Sequence, residues 1–199
     1  FAEPWLGGRE PVQFSTSLSH TVQYRYDFLT GRADESQYFQ ISGLTLGLAK
    51  RLKVPDDFFT LSQAISYQYY DLNNYYTGLF TFGDGSSNNL NYTIALSRNN
   101  TYTNPIFPVG GSKFTISAKL TPPYSLINGI DFSDLGDRKE FQLPNGEPDK
   151  AKIDQEKFRW LEFYKLKFSG EWYTSIIGKL VFKAQTDFGF IGAYNQERG

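Results

Sequence analysis

Residues 12–26 read VQFSTSLSHTVQYRY, a stretch in which apolar and polar side chains alternate almost without interruption. Phe14 and Leu18 fall on one side of an extended chain, while Ser15 and Ser17 fall on the other. Successive side chains of a β-strand point to opposite faces, so a period of two is the signature of a strand. The stretch therefore predicts one long strand with an apolar face and a polar face.

The same alternation recurs in six further segments, which gives seven predicted strands in all. Most of them are longer than the roughly 5 or 6 residues of the usual globular strand. Glu162 interrupts the apolar face of the sixth strand, which is less regular than the others. The six further segments are Tyr38–Ala49, Phe59–Tyr69, Leu90–Ser97, Phe114–Leu120, Lys157–Gly170 and Leu180–Phe190.

The composition agrees with an all-β chain and excludes several other classes. Aromatic residues make up 18% of the sequence, with 18 Phe and 14 Tyr, and such residues favour strands. No apolar run approaches the roughly 20 residues of a membrane-spanning helix. The net charge is −1 and no basic run is present, which argues against a nucleic-acid partner. The chain has no cysteine, so neither a disulfide framework nor a cysteine metal site is expected.

Strand length and loop pattern distinguish a soluble β-sandwich from a membrane β-barrel. Tilted membrane strands need about 9 to 11 residues in the hydrocarbon, and membrane barrels carry short turns on one rim and long loops on the other. Here the connections 51–57 and 172–178 are compact, whereas 73–89 and 122–155 are long and polar. The polar faces are mostly Ser, Thr, Gln, Asn and Gly, which suit a wet lumen. The sequence thus predicts an antiparallel transmembrane β-barrel.

Two turn-like stretches resemble a known family. Residues 1–11 read FAEPWLGGREP and run into a Ser-rich strand, which is similar to an early periplasmic turn in the barrel of BamA-type outer-membrane protein assembly factors. Residues 102–112, YTNPIFPVGGS, resemble a later turn of that barrel, and the strand from Lys179 to Tyr194 also follows the family's order. The turn residues in these two stretches are Pro4, Trp5, Gly7, Gly8, Phe107, Pro108, Gly110 and Gly111.

The resemblance implies that residues 1–199 form one partial barrel domain without POTRA domains, holding about seven consecutive strands of a sixteen-stranded barrel. It implies a non-enzymatic factor, without a cofactor, that folds and inserts β-barrel proteins in the cell outer membrane of a Gram-negative bacterium. The expected partners are outer-membrane lipid, nascent outer-membrane proteins, accessory lipoproteins of an assembly complex and missing strands of the same polypeptide. A secretion or diffusion channel, such as a two-partner secretion translocator, and a soluble β-sandwich binding module remain alternatives.

The chain carries few residues that suggest chemistry. Its one histidine, His20, falls on the apolar face of the first long strand, where a hydrolase pair is hard to build. Asp56–Asp57 and the aspartates of 131–137 lack the spacing of a calcium loop. Basic side chains on the polar faces are expected to face the lumen, where they set the sign of a pore or pair with acids on other strands or plug loops. They are Lys113, Lys119, Arg159, Lys165, Lys167 and Lys183.

Both ends of the sequence fall within patterns typical of cut strands, so we expect the edge strands to pair with strands outside residues 1–199. The alternation assigns one set of side chains to lipid and its neighbours to the lumen. Expected to face lipid are Phe14, Leu18, Ile65, Ile94, Ile116 and Phe182. Expected to face the lumen are Ser15, Ser17, Ser66, Thr93, Thr115 and Lys183. Periplasmic turns are expected at 5–10, 53–57, 103–111 and 173–178, with 73–89 and 122–155 outside the cell.

Overall fold

One antiparallel sheet dominates the computed structural model, which describes residues 1–7, 12–101, 108–129 and 131–195. Seven of its strands are between 10 and 20 residues long, and the first has only two. The strands are β1 (Ala2–Glu3), β2 (Val12–Asp27), β3 (Arg32–Arg51), β4 (Phe59–Asn73), β5 (Gly85–Asn99), β6 (Gly111–Leu120), β7 (Tyr164–Ile177) and β8 (Leu180–Gly192).

Each strand pairs with its neighbour in the sequence, giving the order β1-β2-β3-β4-β5-β6-β7-β8. Every ladder is antiparallel. Within the described residues no ladder joins β2 to β8, so the sheet is open, as expected from the sequence. Its edges are β1 and β8. All seven predicted strands are present, and the all-β antiparallel class is confirmed.

Four connections lie at one end of the sheet, which we call the turn end, and three lie at the other, which we call the loop end. The turn end carries 4–11, 52–58, 100–110 and 178–179. The loop end carries 28–31, 74–84 and 121–163. The last of these contains the helices α1 (Tyr124–Asn128) and α2 (Lys150–Lys157) and the 3-10 turns Leu135–Asp137 and Lys139–Phe141. The two connections predicted to be long, 74–84 and 121–163, share the loop end, but 28–31 at that end is short and 100–110 at the turn end is as long as 74–84, so length separates the two ends only in part.

The β2–β3 hairpin is longer than its alternation predicted. β3 begins at Arg32 rather than Tyr38, and its first residues pair with Arg25–Asp27 after a bulge beside Tyr24. The Asp27 carboxylate accepts hydrogen bonds from the Leu29 amide (2.9 Å) and the Thr30 hydroxyl (2.8 Å), which closes the turn. The pairing here depends on backbone hydrogen bonds and an aspartate turn rather than on an apolar face, so the alternation gave no sign of it.

The strand predicted at Lys157–Gly170 is wrong in its first half. Lys157 ends α2, and β7 begins only at Tyr164. Trp160 stacks on Tyr124 with ring centroids 4.6 Å apart, and the Glu162 carboxylate accepts hydrogen bonds from the amide and the hydroxyl of Ser125. Phe158 and Trp160 are spaced like the apolar residues of a strand, but they pack into the loop end.

β7 also extends further than predicted at its other end. The compact turn predicted at 173–178 reduces to Gly178 and Lys179, because Tyr173–Ile177 continue the β7–β8 ladder past an irregularity after Ser175.

A small core lies at the loop end. Phe39 of β3, Leu72 of β4 and Phe82 of the 74–84 connection are buried together, and Phe82 is 1% exposed. Side chains from both long connections surround them, which ties these connections to the sheet. The surrounding side chains are Ile41, Tyr70, Tyr75, Phe80 and Phe158.

Candidate functional site: a two-faced sheet

The register of the ladders gathers the apolar side chains of seven strands on one face of the sheet, here called the apolar face. Directly paired residues of antiparallel strands share a face, so the cross-strand partners define its members. Leu18 pairs with Leu44, Leu44 with Tyr67, and Tyr67 with Leu90. Further members are Phe14, Leu46, Leu48, Leu61, Ile65, Ile94, Leu96, Phe114, Ile116, Leu166, Phe168, Trp172, Phe182, Phe188 and Phe190.

Much of the apolar face is uncovered. Leu18 is 84% exposed, Phe188 66% and Trp172 62%. The described residues form a single sheet and include no second layer across this face. A soluble protein rarely exposes a contiguous apolar patch larger than a few hundred Å², because leaving such a surface in water costs about 25 cal/mol per Å². An uncovered apolar face of this extent is unusual for the surface of a soluble protein.

The opposite face, here called the polar face, has a different composition. Ser17 pairs with Thr45 and Thr45 with Ser66, and the Thr45 and Ser66 hydroxyls are 2.8 Å apart. Near the loop end Ser87, Asn89 and Asn91 of β5 are buried on this face. The six residues expected to face lipid all lie on the apolar face, and the six expected to face the lumen all lie on the polar face.

The predicted basic residues divide into two groups. Five of the six lie in β6–β8 on the polar face: Lys113, Lys119, Lys165, Lys167 and Lys183. Arg159 does not join them. It lies outside the strands, between α2 and β7, and its guanidinium is 3.7 Å from the Glu156 carboxylate.

The 121–163 connection folds back onto the sheet at the loop end, forming what we call the cap. The amide of Asn88 donates to the Arg159 carbonyl, and the amide of Leu161 donates to the Asn88 carbonyl, both at 2.8 Å. The Ser87 hydroxyl also donates to the Phe158 carbonyl at 2.5 Å. Sequence reasoning missed the cap, although the dense aromatics within two polar connections were a signal for it. These aromatics are Tyr75, Phe80, Phe82, Phe158 and Trp160.

The turn motifs of both stretches lie at the turn end. Pro4, Trp5 and Gly7 belong to the β1–β2 connection, where Gly7 has a φ of +80° and Trp5 is 59% exposed. Gly8 lies outside the described residues.

The second motif precedes and opens β6. Phe107 lies outside the described residues, and Pro108 and Gly110 directly precede β6. Gly111 is its first residue, with a φ of +96°, and a Cβ there would collide with the backbone oxygen of Asn100. Only glycine fits this close approach without strain. These positions act as turn formers.

An ion pair joins one of the turn-end connections to the sheet. Two nitrogens of the Arg98 guanidinium donate to Asp56 Oδ2, at 3.0 and 2.8 Å, and a third donates to the Ser112 hydroxyl at 3.3 Å. The guanidinium also lies 5.8 Å from the centre of the Phe58 ring. The arrangement links the 52–58 turn to the ends of β5 and β6.

The Asp56–Arg98 pair is expected to make stability depend on acid pH. Hydrogen bonds from Arg98 and from the Phe58 amide hold the pKa of the Asp56 carboxyl below its ordinary value of 3.8. A carboxyl with a lowered folded pKa stabilises fully above its unfolded pKa, and this contribution is lost as pH falls through the folded value. Asp56→Asn should therefore lower the urea midpoint of the full-length protein at pH 6, with the difference from wild type shrinking below about pH 4.

Asp57→Asn is the matched control, since the Asp57 carboxylate makes no ion pair among the residues that the structure describes. Its effect on the urea midpoint should be small at both pH values. An Asp56→Asn deficit of the same size at pH 6 and pH 2.5 would contradict the proposed role of the ion pair.

The remaining candidates lie apart from one another. His20 Nδ1 is 3.0 Å from the Ser42 hydroxyl on the apolar face. Within the described ranges no three His, Cys, Asp or Glu side chains are grouped as metal ligands would be.

None of the described helices is long and apolar enough to cross a membrane. A scan against known protein-family models and a search of the curated proteins each find no match for the chain.

Proposed function

We propose that this chain is a section of the wall of an outer-membrane β-barrel. The observation that carries the proposal is the exposed apolar face, which extends over seven long strands and is backed by a polar face. Lipid would cover the apolar face and lumen water would wet the polar one, so each surface would be in a suitable solvent. Strands of 10 to 20 residues are long enough to cross the hydrocarbon when tilted.

We further propose that the barrel belongs to a BamA-type factor that folds and inserts outer-membrane proteins without chemical catalysis. The support is the resemblance of residues 1–11 and 102–112 to turns of that family. Unpaired strand edges are costly in lipid, so a barrel that opens at a seam would template an incoming strand by β-augmentation. Nascent outer-membrane proteins, accessory lipoproteins and the other strands of the same polypeptide are its proposed partners.

A secretion or diffusion channel is the second candidate, and the lysines on the polar face of β6–β8 favour it. Depletion of the full-length protein separates the two candidates. An insertase predicts a broad loss of other β-barrels from the outer membrane, measured by quantitative proteomics of that membrane. A channel predicts that the other barrels stay at normal levels while one exported substrate or solute is lost.

The proposed orientation predicts which connections are reached from outside intact cells. Asn145 lies in the 121–163 connection at the loop end, and Lys53 lies in the 52–58 turn at the opposite end, and both are exposed. We expect Asn145→Cys in the full-length protein to react with a membrane-impermeant maleimide on intact cells, and Lys53→Cys to react only after the outer membrane is opened. Equal labelling of both on intact cells would reject this topology.

A further inference from the structure

Charge is distributed unevenly over the polar face. On β2–β5 its charged side chains all lie near the strand ends, and the positions between them are uncharged; they are Arg25, Asp27, Arg32, Asp34 and Arg51. On β6–β8 the same face carries five lysines but only two acids, Glu171 and Asp187. One part of the polar face is therefore neutral and the other is cationic.

Both acids are already engaged. The Glu171 carboxylate accepts hydrogen bonds from the Lys183 ammonium at 3.2 Å and from the Tyr173 hydroxyl at 2.8 Å. The Asp187 carboxylate accepts from the Ser169 hydroxyl at 2.7 Å and from the Gln185 amide at 2.9 Å. Glu171 thus offsets positive charge towards the turn end of the face, where it also pairs with Lys113 in the ladder.

Three lysines lie nearer the loop end, and of the two acids only Asp187 is close enough to act on one of them, Lys167. Lys119 and Lys165 are direct cross-strand partners, and Lys167 follows on the same face of β7 opposite Ser117. Within the described residues none of the three forms an ion pair. Like charges directly opposite each other destabilise a sheet, so their presence on one ladder needs a solvent or ligand that favours positive charge. We call these three residues the lysine strip.

We infer that the lysine strip makes this lumen wall select small anions over small cations. The inference rests on the proposed barrel, since it needs the polar face to line a lumen that solutes enter. A wall of one sign beside a low-dielectric membrane focuses its field on the lumen and raises the local concentration of counter-ions. Salt at 1 M reduces the range of that field to about 3 Å, so the preference should be salt-sensitive.

Cysteine reactivity tests the inference because the chain contains no cysteine of its own. Ser117→Cys would place a thiol on the polar face opposite Lys167, and Ser17→Cys would place one on the neutral part of the same face. Each variant of the full-length protein, freed of any other cysteine and inserted in lipid vesicles, is treated with two methanethiosulfonates. One carries a negative sulfonate and the other a positive trimethylammonium group.

The measured quantity is the ratio of the two reaction rates, anionic over cationic. Nearby lysines also lower the pKa of a thiol, but this raises both rates equally and cancels in the ratio. We expect the ratio at Ser117→Cys to exceed that at Ser17→Cys by about tenfold at low salt. Adding Lys119→Gln and Lys167→Gln, or 1 M salt, should bring it down to the Ser17→Cys value. Lys53→Gln, at the exposed turn, should leave it unchanged.

The other outcomes overturn the inference in distinguishable ways. Equal ratios at the two cysteines, or a high ratio that survives both lysine substitutions, would reject anion selection while leaving the barrel in place. Reaction at Ser17→Cys with none at Ser117→Cys would show that the lysine strip is covered. If neither cysteine reacts with either reagent, the polar face does not line an open lumen, and both this inference and the proposed water-filled barrel fail.

Discussion

In the proposed outer-membrane barrel, Ile94→Arg is expected to cost about 2 to 4 kcal/mol of folding free energy, because it would place an arginine on the lipid side near the bilayer midplane, where it is poorly solvated. Ile94 lies in the middle of β5, and its ladder partners are Gln63 and Ala118, which place it on the apolar face. The measurement is the urea-unfolding free energy of the protein refolded into phospholipid vesicles.

Thr93→Arg provides the matched control, since Thr93 is the preceding residue and lies on the polar face beside Lys119. The substitution has the same size and charge in the same strand, but the guanidinium would be in lumen water, where its like charge opposite Lys119 should cost about 1 kcal/mol or less. Equal destabilisation by the two arginines would show that both faces have the same environment. That outcome would reject the assignment of the apolar face to lipid.

Phe82→Ala is expected to lower the stability of the loop end by about 3 to 5 kcal/mol, the usual cost of removing a fully buried aromatic ring. The Phe82 ring centre lies 5.1 Å from that of Phe80, and the side chain is buried against Phe39 and Leu72. The loss is measured by amide hydrogen exchange at Leu161, because exchange reports local opening. The Leu161 N–H donates a hydrogen bond to the Asn88 carbonyl, which joins the cap to β5.

Leu79→Ala is the control for the aromatic deletion, because Leu79 belongs to the same 74–84 connection but is 67% exposed. A surface truncation of this kind should change exchange by no more than about 0.5 kcal/mol. Amides of the β7–β8 ladder should exchange at wild-type rates in both variants. If Phe82→Ala leaves exchange at Leu161 unchanged, Phe82 does not hold the cap in place.

The strands could be predicted from the sequence because apolar and polar residues alternate along each of them with a period of two. Leu44, Leu46 and Leu48 are separated by Thr45 and Gly47, and no other regular structure places these leucines on one face. The pairing register of this strand was also constrained, since a shift by one residue would move every leucine to the polar face. The sheet order followed because strands that are consecutive in the sequence usually lie next to each other in a sheet.

The cap could not be predicted in the same way, because its contacts join distant parts of the sequence and have no period. Phe158 and Trp160 alternate with Arg159 as a strand would, yet they pack into aromatic clusters at the loop end. Glu162, which disturbed the alternation, accepts hydrogen bonds from Ser125 instead of facing a lumen. For the basic residues, the pattern located the lysines of the strands and misplaced Arg159, which lies in the same irregular segment.

The same cap bears on the order in which the chain acquires its structure. The hydrogen bond from Ser87 to Phe158 joins residues 71 positions apart, whereas the β2–β3 hairpin closes over a turn of a few residues. Closing the longer segment costs about 2 kcal/mol more in chain entropy. β5, β6 and β7 must already be aligned before this cost is offset, so we expect the hairpins to form first and the loop end to close last.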